Sequence, residues 1–177
     1  MTKICDRYSV GVLITSQDRY LMFERATPPV GIAPVAGHVD DHGIPADAAR
    51  AEVFEEVGLT VDSLSLVTSG WRPNRCRRPV PAGGLPGHYW TIFQAQVSGT
   101  LNSSAREARN ARWLDRPEIQ RLAARTVSYA YGAISAAEFS AAPGLEPVWL
   151  EWLHEAGIVE VTDDALTRVE DLAARPL

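Results

Sequence analysis

Residues 37–59 read GHVDDHGIPADAARAEVFEEVGL, and the second half of this stretch, 46–57, predicts a helix. Ala46, Ala49, Val53 and Val57 form an apolar stripe at spacings of three and four. Pro45 suits a first turn, where its missing N–H costs nothing, and Gly58 stands where a C-terminal cap is expected. At about 100° per residue, Glu52 and Glu56 lie roughly 40° apart and Glu55 about 60° beyond Glu52, so three carboxylates share an arc of roughly 100°. Ala48, one turn earlier within the arc, leaves it uncovered.

Such an arc is unfavourable on a bare helix. Like charges at i+3 and i+4 cost a few tenths of a kcal/mol per pair, roughly, and the helix dipole opposes acids in its C-terminal half. No Lys or Arg follows at i+4 from any of the three. A hard divalent cation resolves the repulsion, because Mg²⁺ favours carboxylate oxygens and keeps room for water and substrate phosphate. On the glutamates alone, a solvated acidic face is an equally good account.

Outward from this segment, residues 8–15 (YSVGVLIT) and 20–24 (YLMFE) predict a β-hairpin turning at Ser16-Gln17-Asp18-Arg19. Residues 26–34 hold three prolines and a glycine and must be loop-like or extended, with Pro34-Val35-Ala36 leading into Gly37. After the helix, Leu64 and Leu66 alternate with serines in a strand ending near Ser69. Residues 71–87 are an irregular loop rich in Arg, Pro and Gly. Residues 89–97 alternate as a strand, with Tyr89, Phe93, Ala95 and Val97 on one face and Tyr89 expected toward the core; 111–114 is a further strand. Helices are predicted over 117–131, 145–154 and 163–174, and Trp113, Trp149 and Trp152 read as packing residues. No repeat or linker divides the chain, so one α+β domain over 1–177 is expected.

With its helix, loop and hairpin in this order, the segment resembles the Nudix box: Gly, five residues, Glu, seven residues, then Arg-Glu-U-x-Glu-Glu-x-Gly-U, where U is a bulky aliphatic. Gly37 matches the first glycine, and Glu52, Val53, Glu55, Glu56, Gly58 and Leu59 match the distal end. The resemblance implies an α/β/α sandwich with a mixed sheet, its core over about 6–125, and a C-terminal helical extension over about 126–177. It implies a hydrolase that cleaves a diphosphate linkage in a nucleoside diphosphate derivative or related phosphorylated metabolite, with Mg²⁺ (or Mn²⁺) as cofactor. Glu52, Glu55 and Glu56 are the implied metal-binding and catalytic residues, joined by the Gly37 carbonyl. A further carboxylate from beyond the box is assigned to Glu107, which also reads as an ordinary loop residue. Homodimers are frequent in the family and are admitted here.

Two positions depart from the pattern. Gly43 replaces the box glutamate and Ala51 the box arginine, two side chains that pair in the family. Losing one partner would strand a charge in a partly buried setting, whereas losing both leaves neither orphaned. Arg50, turned about 100° around the helix from position 51, is a poor replacement. The alternative these departures support is a Nudix-fold nucleotide-binding or regulatory module without hydrolysis; a structural domain with an acidic face is a third reading. Asp40, Asp41 and His42 read as a polar solvated loop, with a substitute metal ligand or proton acceptor among them as the alternative.

Residues 71–79, WRPNRCRRP, bring Arg72, Arg75, Arg77 and Arg78 together. A guanidinium fork suits phosphate, so Arg72, Arg77 and Arg78 are candidate substrate contacts, as is His38 at the mouth of the site. Four local arginines in a chain of net charge −5 exclude a nucleic-acid track, which needs an extended basic surface. Cys5 and Cys76 stand far apart without a CxxC or Cys/His cluster and are expected as reduced thiols. No apolar run is long enough for a membrane span or followed by a cleavage site, so a cytoplasmic protein without membrane contact is expected.

Overall fold

The computed structural model describes residues 4–80 and 86–175. β1 (Tyr8–Ser16) and β2 (Arg19–Arg25) form the expected hairpin, Ser16 pairing with Arg19 across Gln17 and Asp18. Both turn residues have positive φ, 48° and 61°, the primed geometry that matches the twist of flanking strands. β1 also pairs antiparallel with β4 (Val35–His38) and parallel with β6 (His88–Ser98), and β5 (Thr60–Arg72) lies antiparallel to β6. β2 carries β3 (Ile32–Ala33) and β7 (Ala108–Leu114), both antiparallel. The result is a mixed sheet with β1 at its centre.

β1 is buried from Ser9 to Ile14, the pattern of a strand covered on both faces. Val10, Val12 and Ile14 face α1 (Pro45–Val57), joining Phe23, Ala48, Ala49, Val53 and Val57 in one core. Leu13 faces the other way, into a second core built with Met22, Trp90 and Ile92. That face is covered by α2 (Arg116–Ala130), α4 (Pro147–Glu155) and α5 (Asp163–Ala174), with α3 (Ala136–Ala141) beside α2. The architecture is therefore the expected α/β/α sandwich.

The boundary expected near residue 125 falls inside α2, and the helices beyond it supply the second layer of the sandwich. α4 is buried at every residue from Pro147 to Leu153, as befits a helix that is apolar nearly all round. Trp149 lies edge-on to Trp90 at 5.8 Å. A Cβ placed on Gly11 would stand 2.3 Å from the Trp149 ring, so that glycine makes room for the helix. Two acids are buried with α4 and each has a cation: Glu146 lies 3.5 Å from Arg25, and Glu151 lies 3.2 Å from Arg72. Burial nonetheless raises both carboxyls, Glu151 to about 8, against the lowering effect of its arginine.

Several local expectations change. β5 runs through Trp71 and Arg72, which were expected in the loop, because β6 offers pairing partners as far as His88. Tyr89 is 43% exposed rather than in the core, since it lies at the sheet's end. A short strand, β3, sits within the proline-rich stretch, and α3 was not foreseen. No helix among the described residues is long and apolar enough to cross a membrane.

Trp149→Ala should cost about 3–5 kcal/mol, the usual range for emptying a large aromatic site. Because Trp149 Nε1 has no hydrogen-bond partner among the described residues, the loss is one of packing. Denaturant unfolding checks it; a loss below about 1 kcal/mol would mean that the C-terminal helices only lean on the sheet.

Candidate active site

The C-terminal half of α1, the strand β4 and the loop after β5 surround an open cleft of about 300 Å³. β4 bonds to β1 along one edge, and its other edge meets the α1 carboxylates. Glu56 Oε2 accepts the Ala36 N–H at 3.1 Å. The Glu52 carboxylate lies directly over Gly37, where an added Cβ would stand 1.7 Å from Oε1. A side chain at this position would push the Glu52 carboxylate away from the strand.

Both carboxylates lose hydration. Glu56 is buried and its carboxyl is held well above the usual range, first by burial and then by Glu52; the Ala36 amide and Arg25 oppose this. Glu52 is pushed up to about 7 by burial, with Glu55, Glu107 and Asp40 adding repulsion and Arg78 opposing it. Two neighbouring acids raised by burial and by nearby carboxylates, in a cleft, mark a candidate functional site. Glu107, exposed in the turn just before β7, lines the cleft with them. Glu55 is exposed and does not line it.

The arginines separate. Arg77 and Arg78 line the cleft. Arg78 Nη1 donates to both Asp40 oxygens, at 2.7 and 2.8 Å, tying its loop to the turn after β4. Among the described residues Arg77 has no acidic partner. Arg72 is a correction: it does not line the cleft. Its guanidinium stacks 4.1 Å above Trp152 and pairs with Glu151 and Glu155, because β5 carries it to the C-terminal helices. Arg75 is likewise engaged, with the carbonyls of Leu172 and Arg175 at the end of α5. Arg25 and Glu146 line the cleft and were not anticipated, since their pairing joins residues far apart in sequence.

The departures from the box are placed as follows. Gly43 has φ 91°, strained for any other residue, although the space around it is open. Ala51 is half-buried on α1. Arg50 donates to the Val61 carbonyl at 3.0 Å, turned toward β5, so it takes over no role in the cleft.

Cys5 and Cys76 are free thiols, as expected, but the fold brings them together with two histidines. His38 lines the cleft, but its Nε2 lies 3.5 Å from both Cys5 Sγ and Cys76 Sγ, and His88 Nε2 lies 3.1 Å from Cys5 Sγ. Burial lowers both histidines, His88 to about 4, and raises the Cys5 thiol to about 11. The cause of the meeting is the parallel pairing of β1 with β6, in which Tyr8 stands opposite Tyr89. That register puts the segment before β1 beside the start of β6. A parallel pairing between these strands was the signal that could have found it.

Comparison with known proteins agrees with this geometry. The family model for the NUDIX domain matches residues 6–133. Among solved structures, the chain is similar to a NUDIX hydrolase from Nitrosomonas europaea at 20% identity and TM-score 0.51, covering 68% of this chain and 77% of that one. It is similar to the dihydroneopterin triphosphate pyrophosphohydrolase of E. coli at 26% identity and TM-score 0.53, covering 65% and 85%. The MutT protein of Bacillus halodurans matches at 15% identity and TM-score 0.52, covering 64% and 71%. No curated protein sequence matches the chain.

The shift on Glu52 has a definite sign. Its folded value, about 7, lies above the ordinary 4.5, so its contribution to stability is full below about pH 4.5 and is lost as the pH rises through about 7. In chelator, Glu52→Gln should match the wild type near pH 4.5 and exceed it above pH 7 by on the order of 3 kcal/mol. Unfolding curves across that range check it, and parallel profiles for the two proteins would contradict it.

Proposed function

This chain belongs to the Nudix family and is a hydrolase of phosphoric anhydrides; from that premise we propose that it cleaves a diphosphate linkage in a nucleoside diphosphate derivative, with Mg²⁺ or Mn²⁺ as cofactor. The observation that carries the proposal is the pair of buried carboxylates, Glu52 and Glu56, pressed onto Gly37 in an arginine-lined cleft. The donor set fits the ion: oxygens only, and among the described residues neither Glu52 nor Glu56 forms an ion pair, although Arg25 and Arg78 act on them from farther off.

Glu52 and Glu56, with the Gly37 carbonyl and Glu107, would hold the metal. Glu55, exposed on the same helix, is the member that the geometry supports least. When bound, the ion neutralises charge on the anhydride oxygens and lowers the pKa of water. The protein's own groups do the rest. Arg77 grips an outlying phosphate from the loop after β5, and Arg78, held by Asp40, fixes the position of that loop. A carboxylate of the cluster accepts the proton of the attacking water.

The organic half of the substrate has a place beside the phosphates. A second, more apolar pocket shares Pro28, Pro29, Asn74, Arg75 and Glu146 with the cleft and reaches Tyr129 and Phe139. These two rings stack at 4.4 Å. A contiguous phosphate cleft and apolar pocket support a substrate with a planar or hydrophobic group attached to its diphosphate. The E. coli relative, which acts on dihydroneopterin triphosphate, is consistent with that class.

A panel of nucleoside diphosphate derivatives, assayed with Mg²⁺ and a coupled phosphatase, should include a substrate whose turnover stops in chelator. Glu52→Gln and Glu56→Gln should each slow it by at least about 100-fold, roughly 3 kcal/mol of transition-state stabilisation. Full turnover after exhaustive metal removal, or near-normal rates in both variants, would overturn the proposal.

A further inference from the structure

Four donors meet at the wall of the carboxylate cleft, which His38, Cys76 and His88 line. The ligating atoms of Cys5, His38, Cys76 and His88 all lie within 4.8 Å of one another. They come from four places in the fold: the segment before β1, the last residue of β4, the loop after β5 and the first residue of β6. A tetrahedral zinc with ordinary Zn–S and Zn–N bonds has donor-to-donor edges of roughly 3.3–3.8 Å. The three Cys–His separations seen here are 3.1, 3.5 and 3.5 Å. A soft, mixed sulfur and nitrogen set of this kind selects zinc over Mg²⁺.

The surroundings prepare the donors. Trp90 Nε1, which can only donate, bonds Asn74 Oδ1 at 3.3 Å, and His88 Nδ1 lies 2.9 Å from the same oxygen. Because that oxygen only accepts, His88 carries its proton on Nδ1, and the lone pair of Nε2 faces the thiols. Outer partners of this kind fix the tautomer and orientation of a metal-ligating histidine. Each sulfur also accepts a backbone N–H from two residues ahead, Arg7 to Cys5 at 3.3 Å and Arg78 to Cys76 at 3.4 Å. Hydrogen bonds of this type favour the thiolate. Two thiolates and two neutral imidazoles leave a zinc centre with no net charge.

We propose that Cys5, His38, Cys76 and His88 form a structural zinc site in the wall of the cleft, distinct from the Glu52/Glu56 pair. Four protein ligands fill a tetrahedral ion and leave no position for substrate, which is the pattern of a structural centre. The site ties the N-terminal segment to the loop carrying Arg77 and Arg78, a connection also made by the bond from Cys5 N to the Pro79 carbonyl at 2.9 Å. It thereby holds the cationic wall of the cleft in place. His38, expected at the sequence level to touch substrate, becomes a zinc ligand next to Gly37.

The full chain, purified under reducing conditions, should contain one equivalent of zinc by elemental analysis. Cobalt exchanged for it should give sulfur-to-cobalt charge transfer and the intense visible bands of a tetrahedral ion. Cys76→Ser and His88→Ala should lose most of the zinc and melt at lower temperature. Glu52→Gln/Glu56→Gln should keep it, which separates this site from the carboxylates. Three results would overturn the proposal: reduced protein that takes up neither zinc nor cobalt, a cobalt spectrum of octahedral type without charge transfer, or zinc lost from the Glu52/Glu56 double variant and retained in Cys76→Ser. Should the cysteine variant fail to fold, the cobalt spectrum of the unaltered chain decides alone.

Discussion

The Glu52 carboxylate rests on the backbone of Gly37, and the arrangement of the cleft follows from that contact. It requires α1 to lie against the edge of β4, which small and branched residues allow: Ala48, Ala49 and Val53 are fully buried beneath the helix. The same approach drives Glu56 into the protein, where it caps the Ala36 amide that β1 does not reach. A helix whose apolar side packs this tightly must bury the acids beside it. Burial raises the cost of their charge, and an ion of opposite sign is the natural relief.

The other half of the sandwich is built on the same principle with a different solution. α4 takes Glu146 and Glu151 into the interior, and there the charges are met by Arg25 and Arg72. Arg25 and Glu146 also line the cleft, and α3 and α5 contribute to the pocket beside it. The C-terminal helices therefore shape the site as well as closing the core. Glu146 and Glu151 form ion pairs with arginines, whereas among the described residues Glu52 and Glu56 form none. That contrast locates the chemistry.

Elements with a strong local signal were legible, although α3, capped locally by Ser135 and Glu138, was not. The stripe of α1, its Gly58 cap (φ 70°) and the hairpin turn are set by residues within a few positions of one another. Tyr89 was misplaced because β6 is covered on both faces. His88, Trp90 and Ile92 are buried on one side, and Ala95, with the half-buried Phe93 and Val97, packs on the other. Simple alternation then cannot say which side is inside. Arg72 was assigned to phosphate from its neighbours in the loop, yet its partners Glu151 and Glu155 arrive from about 80 positions later. The Cys and His cluster is the extreme case, since its members stand 33 to 83 residues apart along the bonds that join them. Long-range pairing of strands, which local periodicity does not encode, decides all three.

The claim at the centre of this account is that Glu52 and Glu56 form a protonatable pair whose charge is completed by a divalent ion. Calorimetric titration of the unaltered chain with Mg²⁺ near pH 7, repeated in buffers of different ionisation enthalpy, counts the protons released on binding. The account predicts net proton release, because the raised Glu52 must ionise to receive the ion, and loss of both binding and release in Glu52→Gln/Glu56→Gln. Binding without proton release that survives the double substitution would place the ion elsewhere and contradict it.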